Sequence, residues 1–105
     1  LPWRASVIAH TRQAMDAGGQ WPIDGPVSVQ LTFHLPRPKS APKSRTAPDR
    51  KPDLDKLTPA ALDCLGSKKG AGAIHDHAQV VSLTADKLYG PPGMTLTLRP
   101  LAVAL

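Results

Sequence analysis

PVSVQLTFHL, residues 26–35, alternates Val27, Val29, Leu31, Phe33 and Leu35 with Ser28, Gln30, Thr32 and His34. Successive side chains of a strand point to opposite faces, so this period of two predicts a β-strand with one buried and one polar face. His34 falls on the polar face, where its plain reading is a solvent-facing side chain. Upstream, WRASVIAHTRQAMDA (3–17) places Trp3, Val7, Ile8, Thr11, Ala14 and Met15 at helical spacing, and Gly18-Gly19 stops the run. Arg4, His10 and Arg12 would then lie towards solvent. Downstream, DLDKLTPAALDCL (53–65) carries Leu54, Leu57, Ala61, Cys64 and Leu65 at roughly helical spacing. Thr58-Pro59 is a good cap and first-turn pair, so the regular helix is expected to begin there, leaving Asp53–Asp55 extended. A helix starting at Asp53 would set the ring of Pro59 against the carbonyl of Asp55.

The last third reads as two strands, AQVVSLTADKLY (78–89) and MTLTLR (94–99), expected to pair antiparallel across the turn Gly90-Pro91-Pro92-Gly93. The order helix, strand, helix, strand, strand predicts an α+β fold, a small mixed or antiparallel sheet with two packed helices, over a single domain spanning 1–105. No internal repeat is visible. Two connections stand out. Residues 36–52 hold Arg37, Lys39, Lys43, Arg45, Arg50 and Lys51 against Asp49 alone, with no hydrophobic period, and are expected to form a flexible basic loop. Its bland reading is a solvated linker. GSKKGAGA (66–73) is expected to be a flexible glycine-rich link, and it lacks the spacing and Lys-Ser/Thr ending of a nucleotide-binding loop.

With 105 residues there is room for one core, and with aromatic content of 4% that core must be built from Leu, Val, Ile and Ala. A partner subunit would relieve so thin a core. The net charge of +5 points to a polyanionic partner, nucleic acid first, because clustered cations displace the counterions of a phosphate backbone. All eight acids are aspartate, short carboxylates suited to hard cations. The single cysteine, Cys64, excludes an internal disulfide and a four-cysteine zinc site, fits a reducing compartment, and reads as a packing residue. No apolar run approaches the roughly 20 residues that span a bilayer, so the expectation is a cytoplasmic protein without a membrane partner. The chain starts without Met or a signal-peptide pattern. It is expected to be trimmed, with an element missing before Trp3.

Asp53 and Asp55 flank Leu54 and share a side only in an extended or turned segment. With Asp76 they could form an oxygen-rich Mg²⁺ site, since Mg²⁺ takes few protein ligands and completes its shell with water and phosphate. Asp-X-Asp is common, and capping or surface solvation is the bland alternative. His75-Asp76-His77 offers a second possibility, a transition-metal site on one strand face, but no third ligand is evident nearby. Asp63, about 80° around an ideal helix from Asp55, reads as a solvent-facing or indirectly supporting acid.

KPDLDKLTPAALDCL (51–65), HDHAQVV (75–81) and KLYGPPG (87–93) together resemble the RusA-type Holliday junction resolvases. In that family an Asp-Leu-Asp pair leads into a helix, and an Asp-Asp pair opens a strand reading Ala/Ser-Gln-Val-Val. A basic residue and a Gly/Pro-rich hairpin follow. The similarity covers about residues 26–99, and the combination of the two motifs is fairly specific. It implies a homodimeric, divalent-metal-dependent endodeoxyribonuclease that nicks four-way DNA junctions symmetrically in recombination and repair. Asp53, Asp55 and Asp76 would be catalytic and, with His77, would hold Mg²⁺ or Mn²⁺. Arg37, Lys39, Lys43, Arg45, Arg50, Lys51, Lys56 and Lys87 would bind DNA.

The chain departs from the family pattern at two positions. His77 stands where the second Asp is usual, and imidazole favours Zn²⁺, Mn²⁺ or Ni²⁺ over Mg²⁺. Pro59 stands where a transition-state-stabilising Lys is usual, and Lys56 replaces the usual Asn. Asp86 occupies a position where the family leans basic. The alternative is therefore a catalytically impaired descendant that binds branched DNA without cutting. A third reading, a basic RNA-binding module, lacks the interleaved aromatics that stack on single strands.

Overall fold

The computed structural model describes residues 3–101. Helix α1 (Trp3–Asp16) leads to strand β1 (Val27–Leu35), helix α2 (Leu54–Asp63), a single 3-10 turn (His77–Gln79), and strands β2 (Val80–Tyr89) and β3 (Gly93–Pro100). The fold is α+β, with two helices and one three-stranded mixed sheet. Val27, Val29, Leu31 and Phe33 are all buried, as the alternation predicts. They form the core with Ala61, Leu65, Ala73 and Ile74, and Leu54, Leu57, Met15 and Trp21 pack against it. Both helices therefore cover one face of the sheet. The other face carries Gln30, Ser82, Thr84, Asp86 and Thr95, all exposed.

The expected β2–β3 pair is not formed. β1 lies between them, parallel to β2 and antiparallel to β3. Leu31 thus sits between Ala85 and Leu96. The connection Gly90–Pro92 crosses the end of β1, anchored where the Gly90 N–H donates to the Leu35 carbonyl at 2.9 Å. Two consecutive prolines supply no ladder donors, and only β1 has a face apolar enough for the centre of the sheet.

α2 begins at Leu54, four residues before Thr58, and takes Pro59 into its interior. The Asp53 carbonyl accepts from the N–H groups of Lys56 and Leu57, both at 3.0 Å. An interior proline costs about 3 kcal/mol, while fully burying a leucine stabilises by roughly 1.5–3 kcal/mol. Leu54 and Leu57, both half-buried against the core, offset part of that cost. Thr58 is left with a buried Oγ1 that has no hydrogen-bond partner.

Hydrogen bonds tie both connections to the rest of the fold. In 36–52, which has no helix or strand, the Arg37 guanidinium donates to the carbonyls of Arg45 and Pro42, both at 2.6 Å. It also lies 5.2 Å from the Tyr89 ring centre. The Lys87 ammonium donates to the carbonyls of Arg50 (2.8 Å) and Pro52 (3.0 Å). Loop 66–73 folds back over the end of α2, where the N–H of Ala71 reaches the Cys64 carbonyl at 2.7 Å and that of Ala73 reaches the Leu65 carbonyl at 2.9 Å. A Cβ on Gly70 would lie 2.6 Å from the carbonyl oxygens of both Asp63 and Cys64. That glycine provides close approach, where the composition alone suggested flexibility.

Cys64 packs in the core, as expected, with its thiol towards the Ala60 carbonyl at 3.3 Å. Burial pushes the thiol up from its ordinary range, the Arg4 charge opposes this, and Asp63 adds to it. The thiolate is the reactive species. Iodoacetamide at neutral pH is therefore expected to alkylate the folded protein far more slowly than the urea-unfolded chain, and equal rates would contradict this. Because the folded pKa is raised, the linked stability is intact below the unfolded thiol pKa and falls as pH rises beyond it.

Candidate active site

Asp53 caps α2 from an extended backbone (φ −83°, ψ 144°), and its side chain makes no capping hydrogen bond. Asp55 lies in the first turn of the helix. The backbone turns from extended at Asp53 to helical at Asp55. Both carboxylates lie at the helix N-terminus, where the backbone dipole favours negative charge. Both are exposed. Among the described residues neither makes a side-chain hydrogen bond or ion pair.

Asp76 and His77 lie at the other end of α2. They share a cleft of about 620 Å³ with Asp63, Arg4, Lys68, Lys69 and His75. At about 1.5 Å per residue, the ten residues of α2 separate this cleft from Asp53 by about 15 Å. His77 Nε2 is 3.8 Å from an Asp63 oxygen, and Arg4 donates to the other Asp63 oxygen at 3.1 Å. Asp63, taken from sequence as solvent-facing or supporting, thus stands beside His77. His75 Nε2 is 2.8 Å from Asp24 Oδ1. Because His77 belongs to a 3-10 turn and not a strand, the strand alternation that would align His75 with it does not apply. Among the described residues no three His, Cys or Asp side chains are arranged to hold a metal ion.

Asp76 is built into the turn, its Oδ1 accepting from the Ala78 N–H at 2.8 Å. Gln79 explains the Ala-Gln-Val-Val run. Its Oε1 accepts from the N–H groups of His75 (2.7 Å) and Asp76 (2.9 Å). Its Nε2 donates to the carbonyls of Ile23 (2.7 Å) and Gly25 (2.9 Å). One amide therefore fastens 75–76 to 23–25, a link that sequence spacing gave no means to find. Gln79→Ala is expected to lower stability by about 2–3 kcal/mol, since net losses run near 1 kcal/mol per bond and these are partly exposed. Gln79→Glu should lose nearly as much, because a second oxygen would face the Ile23 and Gly25 carbonyls. Urea denaturation measures both, and a glutamate variant as stable as the parent would refute this account.

The eight cations expected to bind DNA divide into two groups. Lys39, Lys43, Lys51 and Lys56 are exposed. No described side chain or carbonyl engages them. Arg37 and Lys87 are occupied by loop carbonyls, and Arg45 and Arg50 both pair with Asp49. Arg37 and Lys87 thus shape the loop that presents the lysines, and Lys87 braces the backbone immediately before Asp53.

The family model described as Endodeoxyribonuclease RusA matches residues 2–99. No curated protein and no solved structure gives a significant match. With nearly the whole chain aligned, the protein belongs to the RusA endodeoxyribonuclease family.

Proposed function

We propose that this protein is a divalent-metal-dependent endonuclease that resolves four-way DNA junctions as a homodimer in the cytoplasm. Family membership supports a junction-resolving nuclease in general terms. The observation that carries the finer reading is the placement of Asp53 and Asp55. They are unpaired acids at a helix N-terminus, flanked in sequence by Lys51 and Lys56 and preceded by the lysine-bearing loop. Exposed lysines bring a phosphate backbone to carboxylates that would otherwise repel it.

Mg²⁺ accepts one or two protein carboxylates with water and phosphate oxygens around the rest of its shell, and Asp53 and Asp55 meet that requirement. When bound, the metal would supply an activated water and charge stabilisation at the phosphate. Mn²⁺ would serve in its place. Asp76 and His77 lie about 15 Å from that pair within one chain, given the 1.5 Å rise of helix residues. They can complete a three-acid site only from a second copy. Val81, Leu83 and Leu88, exposed along the outer strand β2, supply apolar surface for such a partner. No described helix is long and apolar enough to cross a membrane.

A second reading, junction binding without cutting, is favoured by Pro59. It sits inside α2 where the family's lysine would stand, and it offers no charge. A labelled mobile four-way junction, with linear duplex as control, in Mg²⁺, Mn²⁺ and EDTA separates the two. Paired symmetric nicks lost in EDTA establish the nuclease. Tight junction binding without nicks establishes the binder.

A further inference from the structure

We propose that the Gly66–Ala73 loop is a second DNA-backbone contact, in which Lys68 and Lys69 receive a phosphodiester remote from Asp53 and Asp55 of the same chain. The inference rests on the DNA-junction reading and adds a site to it.

The loop is a folded platform. Its backbone is tied to the end of α2 through Cys64, Leu65 and Gly66, the last accepting from the Gly72 N–H at 2.9 Å. Arg12 donates to the Gly70 carbonyl at 3.2 Å from the side of α1. The close approach at Gly70 forces the chain outward again, so Ser67, Lys68 and Lys69 form an exposed tip. No described group hydrogen-bonds or ion-pairs with either lysine. A fixed loop holding two uncommitted ammonium groups loses little conformational entropy when it grips an anion.

The tip borders the cleft that also contains Arg4, His75 and His77. Arg4 balances Asp63 and His75 lies against Asp24. Asp76, which also lines the cleft, accepts from the Ala78 N–H, and Arg4, Lys68 and Lys69 still outweigh Asp63 and Asp76 there. Lys51 and Lys56 adjoin the other end of α2, and Lys39 and Lys43 precede them in the basic loop. A separation of about 15 Å corresponds to roughly four to five nucleotide steps at about 3.4 Å per phosphate along one strand. One chain would thus hold a DNA arm at two places on its backbone, which fixes the arm's direction over the acids where a single contact would let it pivot.

The test is fluorescence anisotropy on a labelled four-way junction across a salt series, with the wild type, K68A/K69A and K39A/K43A. Each phosphate contact contributes about 0.9 to the slope of log affinity against log salt. K68A/K69A is expected to flatten that slope by about 1.8 and to weaken binding on the order of 30-fold near physiological salt. K68E/K69E should weaken it further, and circular dichroism melts should match the wild type, since among the described residues neither lysine side chain makes a hydrogen bond or ion pair. Inorganic phosphate at constant ionic strength distinguishes a free-phosphate pocket, which it would block, from a backbone contact, which it would leave in place. An unchanged slope and affinity for K68A/K69A, or displacement of the junction by millimolar inorganic phosphate, overturns the proposal. A wild type without DNA affinity removes the junction reading first and this inference with it. Loss confined to K39A/K43A keeps the junction reading and rejects the loop.

Discussion

Replacing Asp53 and Asp55 together with asparagine is expected to abolish metal-dependent nicking, on the order of a thousandfold or more in rate, while junction binding stays equal or tightens. The rate falls because neutral amides are poor ligands for a hard cation, whatever second copy completes the site. Binding persists because the exposed lysines are untouched, and two carboxylates that repel phosphate are gone. Folding should persist too. Asp53 makes no side-chain capping bond, and asparagine is as good an N-cap as aspartate. A gel assay on the junction, paired with anisotropy, reads both quantities in one preparation. Nicking that survives in the double variant would remove the acid pair from the mechanism. Loss of both nicking and binding, with the fold intact, would mean that the pair organises the DNA surface and does not serve catalysis alone.

The largest stability effect is expected from Gly70→Ala. The added methyl would lie 2.6 Å from two backbone oxygens, and backbone cannot rotate aside as a flexible side chain would. The loop must lift off the end of α2, weakening the Ala71 and Arg12 bonds that hold it. A cost of about 3 kcal/mol, at the upper end for overpacking, is a large share of the roughly 5–10 kcal/mol that a domain this size has in hand. The melting temperature should fall by about 12–24 °C, since 1 kcal/mol shifts it by roughly 4–8 °C at this length. Gly72→Ala gives a comparison of another kind. Its φ of 79° disfavours any side chain, yet nothing lies within 4 Å of its Cβ position. A Gly70→Ala protein that melts with the wild type would show that the close approach is not present in solution.

What the sequence made legible was periodic. The alternation of 26–35 gave the central strand, and the spacings in 3–17 and 53–65 gave both helices, because burial on one face repeats at the period of the element. Pairing was not legible. Gly-Pro-Pro-Gly between two apolar runs resembles a hairpin turn, and only the competition for the buried centre, which β1 wins, shows that the runs are separated. The start of α2 was misplaced for a related reason. Thr58-Pro59 is a strong local signal, but Leu54 and Leu57 answer to the core, which local spacing does not register. For the site, the motif points to Asp53, Asp55, Asp76 and His77 as candidates, but a linear motif does not state that a helix stands between its halves. The role of Gln79 and the neighbourhood of Asp63 and His77 depend on contacts between distant segments.

The central position of β1 also governs how the chain can be made. Its partners, β2 and β3, both lie in the last quarter of the described sequence. On the ribosome, β1 is complete long before either neighbour emerges, and until then both its edges stay bare. Closing loops of this length before any pairing is rewarded slows folding, and an early pause in translation would leave a strand ready to pair with that of another nascent chain. The basic segment that follows β1 then acts as a guard, since its like charges keep such strands apart until Val80 arrives.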